Sequence, residues 1–201
     1  MQDNNVDTKT LIFNISLRMF AQNGYENVSV RDIAEAVGIK AASIYNHYES
    51  KEKILGACYD FYLENRCFAR MNREQYEPII RNGTKEEVIQ LVNYRFEEHL
   101  SENMILTMVV IYSRIYTDPR AKEIFIGEMD EAMQYLKEVL NFGIEVGRID
   151  PFDVPALSVI ILSTRVFAAH STAVHQDQNS EWHHAQVDFI NEFSRIVPFK
   201  Y

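Results

Sequence analysis

Cysteine, glycine and proline are all scarce in this chain of 201 residues. With only two cysteines, Cys58 and Cys67, no disulfide framework can form, so the fold must rest on a buried core. The pair reads as buried or half-buried thiols of a cytosolic protein. Half a turn out of phase on one helix, they do not suit a shared metal or a bridge. Seven glycines and five prolines are too few for a turn-rich all-β fold, and 47% hydrophobic residues are too many for a disordered chain. No run alternates apolar and polar residues, and no segment repeats.

Other absences narrow the function. No basic, apolar leader opens the sequence; "MQDNNVDTKT" is polar and acidic. The longest nearly uncharged run, "VPALSVIILSTRVFAAHSTAV", contains Arg165 and several Ser, Thr and His residues. It reads as a buried helix, not a membrane span. A soluble, cytoplasmic protein with no membrane partner is expected. There is no G-x-S-x-G, no P-loop, no G-x-G-x-x-G and no His/Cys/acid set at a catalytic spacing. No enzyme, no catalytic residue and no cofactor are therefore expected. His170, His175, His183 and His184 gather near Asp177 and Glu181 but lack the H-E-x-x-H spacing; they read as surface residues, and no metal is expected.

Positive charge is also short. The net charge is −9, but residues 1–53 hold six Lys/Arg against seven Asp/Glu, and the remainder holds fourteen against twenty-two. The acidity lies in the later part, which permits a nucleic-acid-binding front segment without predicting one.

What the chain does have is helical periodicity. A first helix over roughly 8–22 shows Ile12, Ile15, Met19 and Phe20 on one face and ends at Asn23-Gly24 in the αL manner. Ser29 and Asp32 form a capping box for a second helix, striped by Val30, Ile33, Ala34 and Val37 and stopped by Gly38. A third covers about 40–47 and a long fourth runs from Ser50 to about 72. Pro78 and "RNG" are expected to break the chain. Helices then follow over 84–100 (capped by "TKEE"), 102–116 ("ENMILTMVVIYSRIY"), 119–146 (opened by Asp118-Pro119), 154–175 and 181–197. The predicted fold is all-α with about nine helices: a three-helix head over 1–50 and a helical body over 51–201.

The Gly-turned pair in the head has the spacing of a helix-turn-helix. In "IKAASIYNHY", Ile44 and Tyr48 face inward, while Lys40, Ala41, Ser43, Asn46 and His47 fall on the outer side. From spacing alone, a short connector helix with a solvated polar face fits equally well.

Residues 10–55, centred on "LRMFAQNGYENVSVRDIAEAVGIKAASIYNHYESKEKIL", resemble the DNA-binding head of the tetracycline-repressor (TetR/AcrR) family of transcriptional regulators. The shared features are Phe20, Gly24-Tyr25, Ile33-Ala34, Gly38, Ile44-Tyr45, His47-Tyr48, Ser50-Lys51-Glu52 and Leu55. They cover about a quarter of the chain by motif; the later helices are similar in number, length and order. The resemblance implies that Ala41, Ser43, Tyr45, Asn46 and His47 face DNA, with Tyr45 and Lys51 on phosphates and Arg31 within reach of a base edge. Lys40 departs from the family's common Ser or Thr cap and adds a cation aimed at the backbone.

The resemblance also implies a homodimer on a two-fold double-stranded operator, released by a small hydrophobic or amphipathic effector whose identity is not legible. The last two helices are apolar beyond one face, so Val159, Phe167, Trp182, Phe189 and Phe193 are candidates for the dimer interface, or else for simple core. Tyr62, Phe96, Met108 and Tyr112 belong to a Met-aromatic stripe, extending from Tyr59 to Met133, that can be core or pocket. Arg114 and Arg165 stand alone as charges in apolar stretches and can face a ligand carboxylate or pair with an acid. The expected function is a homodimeric, ligand-released repressor. The alternative is an all-α small-molecule-binding protein or enzyme with a vestigial head.

Overall fold

A helix can begin where a side chain takes the place of its missing backbone partners, and several of the expected caps form. Ser29 Oγ accepts from the Asp32 amide at 3.2 Å while Asp32 accepts from the Ser29 amide at 2.7 Å. Thr84 and Glu87 repeat the arrangement at 3.2 and 2.7 Å. Asp118 accepts from the amides of Arg120 and Ala121, at 2.9 and 3.4 Å. A box that the sequence reading missed joins Asn72 and Gln75.

The computed structural model describes residues 7–65, 71–93, 101–175 and 197–200; the side chains of residues 93, 165 and 168–175 lie outside that description. Among the described residues there are nine α-helices and no strand: α1 (Thr8–Asn23), α2 (Val30–Val37), α3 (Ala41–Ile44), α4 (Lys51–Asn65), α5 (Arg73–Asn82), α6 (Lys85–Asn93), α7 (Glu102–Arg114), α8 (Pro119–Glu145) and α9 (Val154–His175). A 3-10 turn at Tyr25–Asn27 joins α1 to α2. The fold is all-α, as expected. The helix expected over 181–197 lies outside the described residues.

Two local readings need correction. Pro78 does not break the chain; it sits inside α5. Proline removes one helical hydrogen bond, but the Asn72–Gln75 box and the burial of Tyr76 and Ile80 hold the helix around it. The break comes at Gly83, whose amide closes on the Ile79 carbonyl at 2.8 Å. Gly24 ends α1 with φ 79° and ψ 143°, not in the αL basin. That conformation is nearly exclusive to glycine and leads directly into the 3-10 turn.

The chain forms two compact units, Met1–Cys67 with His99–Phe125, and Phe68–Glu98 with Ile126–Tyr201. In the first, α1 packs on α2, α4 and α7. Its buried side chains include Ile12, Leu17, Phe20, Ile33, Ile44, Ile54, Tyr59 and Ile111. On α1 the buried face runs through Ile12, Ser16, Leu17 and Phe20, with Ile15 and Met19 half-buried at its margin. Cys58 is buried, and burial pushes its thiol up to about 12, so it stays neutral and unreactive.

In the second unit one cluster gathers Tyr76 and Ile80 of α5, Val88, Leu91 and Val92 of α6, Leu136, Val139 and Leu140 of α8, and Ile161 and Leu162 of α9. The Arg148 guanidinium donates to the carbonyls of Arg81 (3.2 Å) and Gly83 (2.6 Å), covering the C-terminal end of α5 from a loop 65 residues away. Ile149 and Phe199 form an isolated antiparallel bridge, and Lys200 pairs with Asp150 at 2.6 Å.

Candidate nucleic-acid interface

The α2–α3 pair is held from inside by four side chains: Ile33 and Ile44 are fully buried, Ala34 is nearly so, and Tyr48 is buried at the end of the turn after α3. Gly38 makes the corner in the αL conformation, φ 80° and ψ 27°. Its amide bonds to Glu35 O (3.0 Å) and that of Ile39 to Ala34 O (2.9 Å), the pair of bonds of a Schellman motif. Lys40 occupies the N-cap of α3 with no side-chain cap, as its departure from Ser or Thr implied. The regular part of α3 is shorter than expected, and hydrogen-bonded turns carry the chain on to Tyr48.

This packing leaves a defined outer surface. Arg31, Lys40, Ala42, Tyr45 and Asn46 are exposed, and Ala41, Ser43 and His47 are half-buried beside them. Tyr45, 55% exposed, is one of the largest apolar surfaces left open in this part of the chain. Ser50 caps α4 through the Lys53 amide at 3.3 Å.

Lys51 lies differently. Its ammonium donates to the carbonyls of Tyr25 and Val28, each at 2.9 Å, and sits 3.9 Å from the centre of the Tyr25 ring. Arg114, at the end of α7, places its guanidinium 4.3 Å from the same ring and donates to Glu26 at 2.9 Å. Its Nε is 3.6 Å from Asp118 Oδ2, a charge contact beyond hydrogen-bond length. Asp118 in turn accepts from the Tyr59 hydroxyl of α4 at 2.9 Å. Burial, and next the Glu52 carboxylate, push the Tyr25 phenol up to about 12. The sequence marked Tyr25 by its Gly-Tyr setting, Tyr59 as part of the Met-aromatic stripe and Asp118 as a helix cap, but linked none of them, nor Glu26, to Lys51 or Arg114.

The other candidate residues scatter. Tyr62 and Met108 are buried, and Tyr112 makes an edge contact with Phe125 at 5.5 Å, all in the first unit. Phe96 and the Arg165 side chain lie outside the described residues. On α9, Val159 is 52% and Phe167 59% exposed, with Ile160 beside Val159 also exposed. Trp182, Phe189 and Phe193 lie outside the described residues. The second unit carries an open groove of about 800 Å³, lined by Arg73 and Tyr76 of α5 and by a stripe of α8 that includes Met133, Lys137 and Phe142. None of these was singled out as a ligand residue except Met133, as part of the Met-aromatic stripe. Among the described residues no three His, Cys, Asp or Glu side chains gather as metal ligands.

Residues 12–58 match the family model described as "Bacterial regulatory proteins, tetR family". Among curated proteins, the chain is 35% identical over 72 residues to the HTH-type negative transcriptional regulator IcaR of the biofilm operon icaADBC in Staphylococcus aureus (strain Newman), covering 34% of this chain and 38% of that protein. It is 40% identical over 47 residues to the HTH-type transcriptional repressor KstR2 of Rhodococcus jostii (strain RHA1), covering 23% of each. These matches thus span well under half of the relatives' own lengths.

The fold is similar over far more. A transcriptional regulator of Saccharomonospora viridis, solved in complex with choline, aligns with TM-score 0.66 and 17% identity over 96% of this chain and 98% of that one. The TetR family transcriptional regulator PfmR of Thermus thermophilus aligns with TM-score 0.63 and 23% identity, over 92% and 97%. In the motif of residues 12–58 and in the fold of nearly its whole length, this chain resembles the tetR family of bacterial regulatory proteins.

Proposed function

We propose that the protein is a DNA-binding transcriptional regulator and not an enzyme: a homodimeric repressor, released from a two-fold operator by a small hydrophobic or amphipathic effector. One observation carries the reading. The helix pair is anchored through Ile33, Ala34, Ile44 and Tyr48, so that Arg31, Lys40, Tyr45 and Asn46 stand exposed on one short structural unit. A helix so presented fits the major groove, and Ala41 and Ser43 at its start keep it slim enough for close approach.

The repressor reading is supported by IcaR and KstR2, described as negative regulator and repressor. The choline held by the regulator from S. viridis supports a small-molecule effector. Tyr62, Met108 and Tyr112, all within the first unit, remain effector-site candidates, and the DNA-binding head is taken to end at about residue 50. Among the described residues no helix is long and apolar enough to cross a membrane, and a DNA partner implies a cytoplasmic location. Release then works by population shift: the effector binds better to the arrangement in which the two heads do not fit the operator.

The test is a mobility-shift titration of DNA taken from beside the protein's own coding region, at two salt concentrations. Specific retardation that weakens with salt is the expected result. If no such DNA is retarded even at low salt, the regulator reading falls.

A further inference from the structure

We propose that Lys51 and Arg114 are positioning residues for DNA recognition: together they grip Tyr25 and fix the turn that leads into α2. This rests on the regulator reading and assigns Lys51 a task other than touching phosphate. The ammonium group has three N–H donors. Two of them are committed to the carbonyls of Tyr25, which opens the 3-10 turn, and Val28, which follows it, and the Tyr25 ring lies 3.9 Å from the charge. A cation so engaged gives up those bonds if it reaches outward to DNA.

Arg114 closes on the same ring from α7. It holds Glu26 at 2.9 Å, and its guanidinium side chain is only 12% exposed. Asp118 faces its Nε and is itself fixed by the Tyr59 hydroxyl. The turn that precedes α2 is thereby tied at Tyr25, Glu26 and Val28 to groups from α4 and α7. Val28, which follows the turn, is buried, and Ser29 after it caps α2. The direction in which α2 leaves the turn, and with it the placement of α3 across the Gly38 corner, depends on this grip. Misplacement of a recognition element by about an ångström is enough to lose base contacts, since those need hydrogen-bond geometry.

The experiment measures affinity for the same flanking DNA across a salt series for wild type, Lys51→Arg, Lys51→Gln, Arg114→Gln, Arg114→Lys and Lys40→Gln. A phosphate contact and a positioning strut differ in two readouts. Loss of a phosphate contact lowers the slope of log affinity against log salt by about 0.9 per contact; loss of positioning lowers affinity at every salt and leaves the slope alone. Lys40→Gln is expected to flatten the slope. Lys51→Gln and Arg114→Gln are expected to weaken binding roughly tenfold with the slope unchanged, the scale of a lost charged hydrogen bond.

Lys51→Arg keeps the charge and the fold but replaces the compact ammonium by a planar fork, which cannot serve both carbonyls over the ring in the same way. It should weaken binding, with Arg114→Lys restoring part of what Arg114→Gln loses. A Lys51→Arg protein that binds as tightly as wild type, or a Lys51→Gln slope as flat as that of Lys40→Gln, overturns the assignment of Lys51. Unchanged affinity in Arg114→Gln overturns that of Arg114. Wild-type protein that retards no DNA defeats the regulator reading, and this assignment with it.

Discussion

Asp118 is one carboxylate serving three elements. It caps α8 through two amides, accepts the Tyr59 hydroxyl of α4 and faces Arg114 of α7. Burial pushes its pKa up, but the Tyr59 hydroxyl, the two amides and the Arg114 charge outweigh that, so its pKa is lowered. A carboxylate with a lowered folded pKa contributes stability above its unfolded value, near 4, and loses it as pH falls through the folded value. Asp118→Asn keeps a capping oxygen and removes the charge. The variant should unfold at lower denaturant than wild type at pH 7, and the gap should narrow below pH ~4. A gap of equal size at pH 3 and pH 7 would show that the charge contributes nothing. At this scale the sequence was only partly legible. Of the five outward residues in "IKAASIYNHY", Lys40 and Asn46 are exposed and Ala41, Ser43 and His47 half-buried, whereas the inward places of Ile44 and Tyr48 followed from 3.6-residue spacing. The partners of Lys51 and Arg114 did not, because Tyr25 and Glu26 stand 26 and 88 residues from them and no local pattern links such positions.

Caps were the most legible feature of the elements, since Ser29–Asp32, Thr84–Glu87 and Asp118-Pro119 act within one turn of chain. Pro78 was misread for the opposite reason: its tolerance depends on Tyr76 and Ile80 being buried by α6 and α8, which local sequence does not record. An interior proline destabilises a helix by roughly 3 kcal/mol, and part of that is offset by its stiffening of the unfolded chain. Pro78→Ala is therefore expected to stabilise by about 1–2 kcal/mol, a rise of several degrees in Tm by calorimetry. No rise would mean that α5 has adapted fully to the proline. Gly83→Ala should do the reverse, because a β-carbon there would run into the Ile79 carbonyl oxygen. Its φ of −73° is ordinary, so the cost is one of space and not of backbone conformation.

For the molecule as a whole, the exposed apolar side chains of α9 and the cations of the head set what can be measured. Val159, Ile160 and Phe167 are large apolar groups open to solvent on one helix, the surface expected of an interface between copies. Phe167→Asp should give monomers by sedimentation velocity and weak retardation of DNA; a dimer of normal affinity would remove this part of α9 from the interface. Which helices share a core was not legible from chain order. α7 follows α5 and α6 in sequence yet packs with α1 and α4, and such long-range partnerships leave no periodic trace. The Lys51 strut has one more effect, on how related chains can diverge. Its acceptors are backbone carbonyls, which every residue provides. A change at position 28 therefore needs no matching change at position 51, and the one side chain coupled to the strut is the Tyr25 ring. In a saturation library position 51 should register as intolerant, with position 25 the one place among its contacts where a second change alters the outcome.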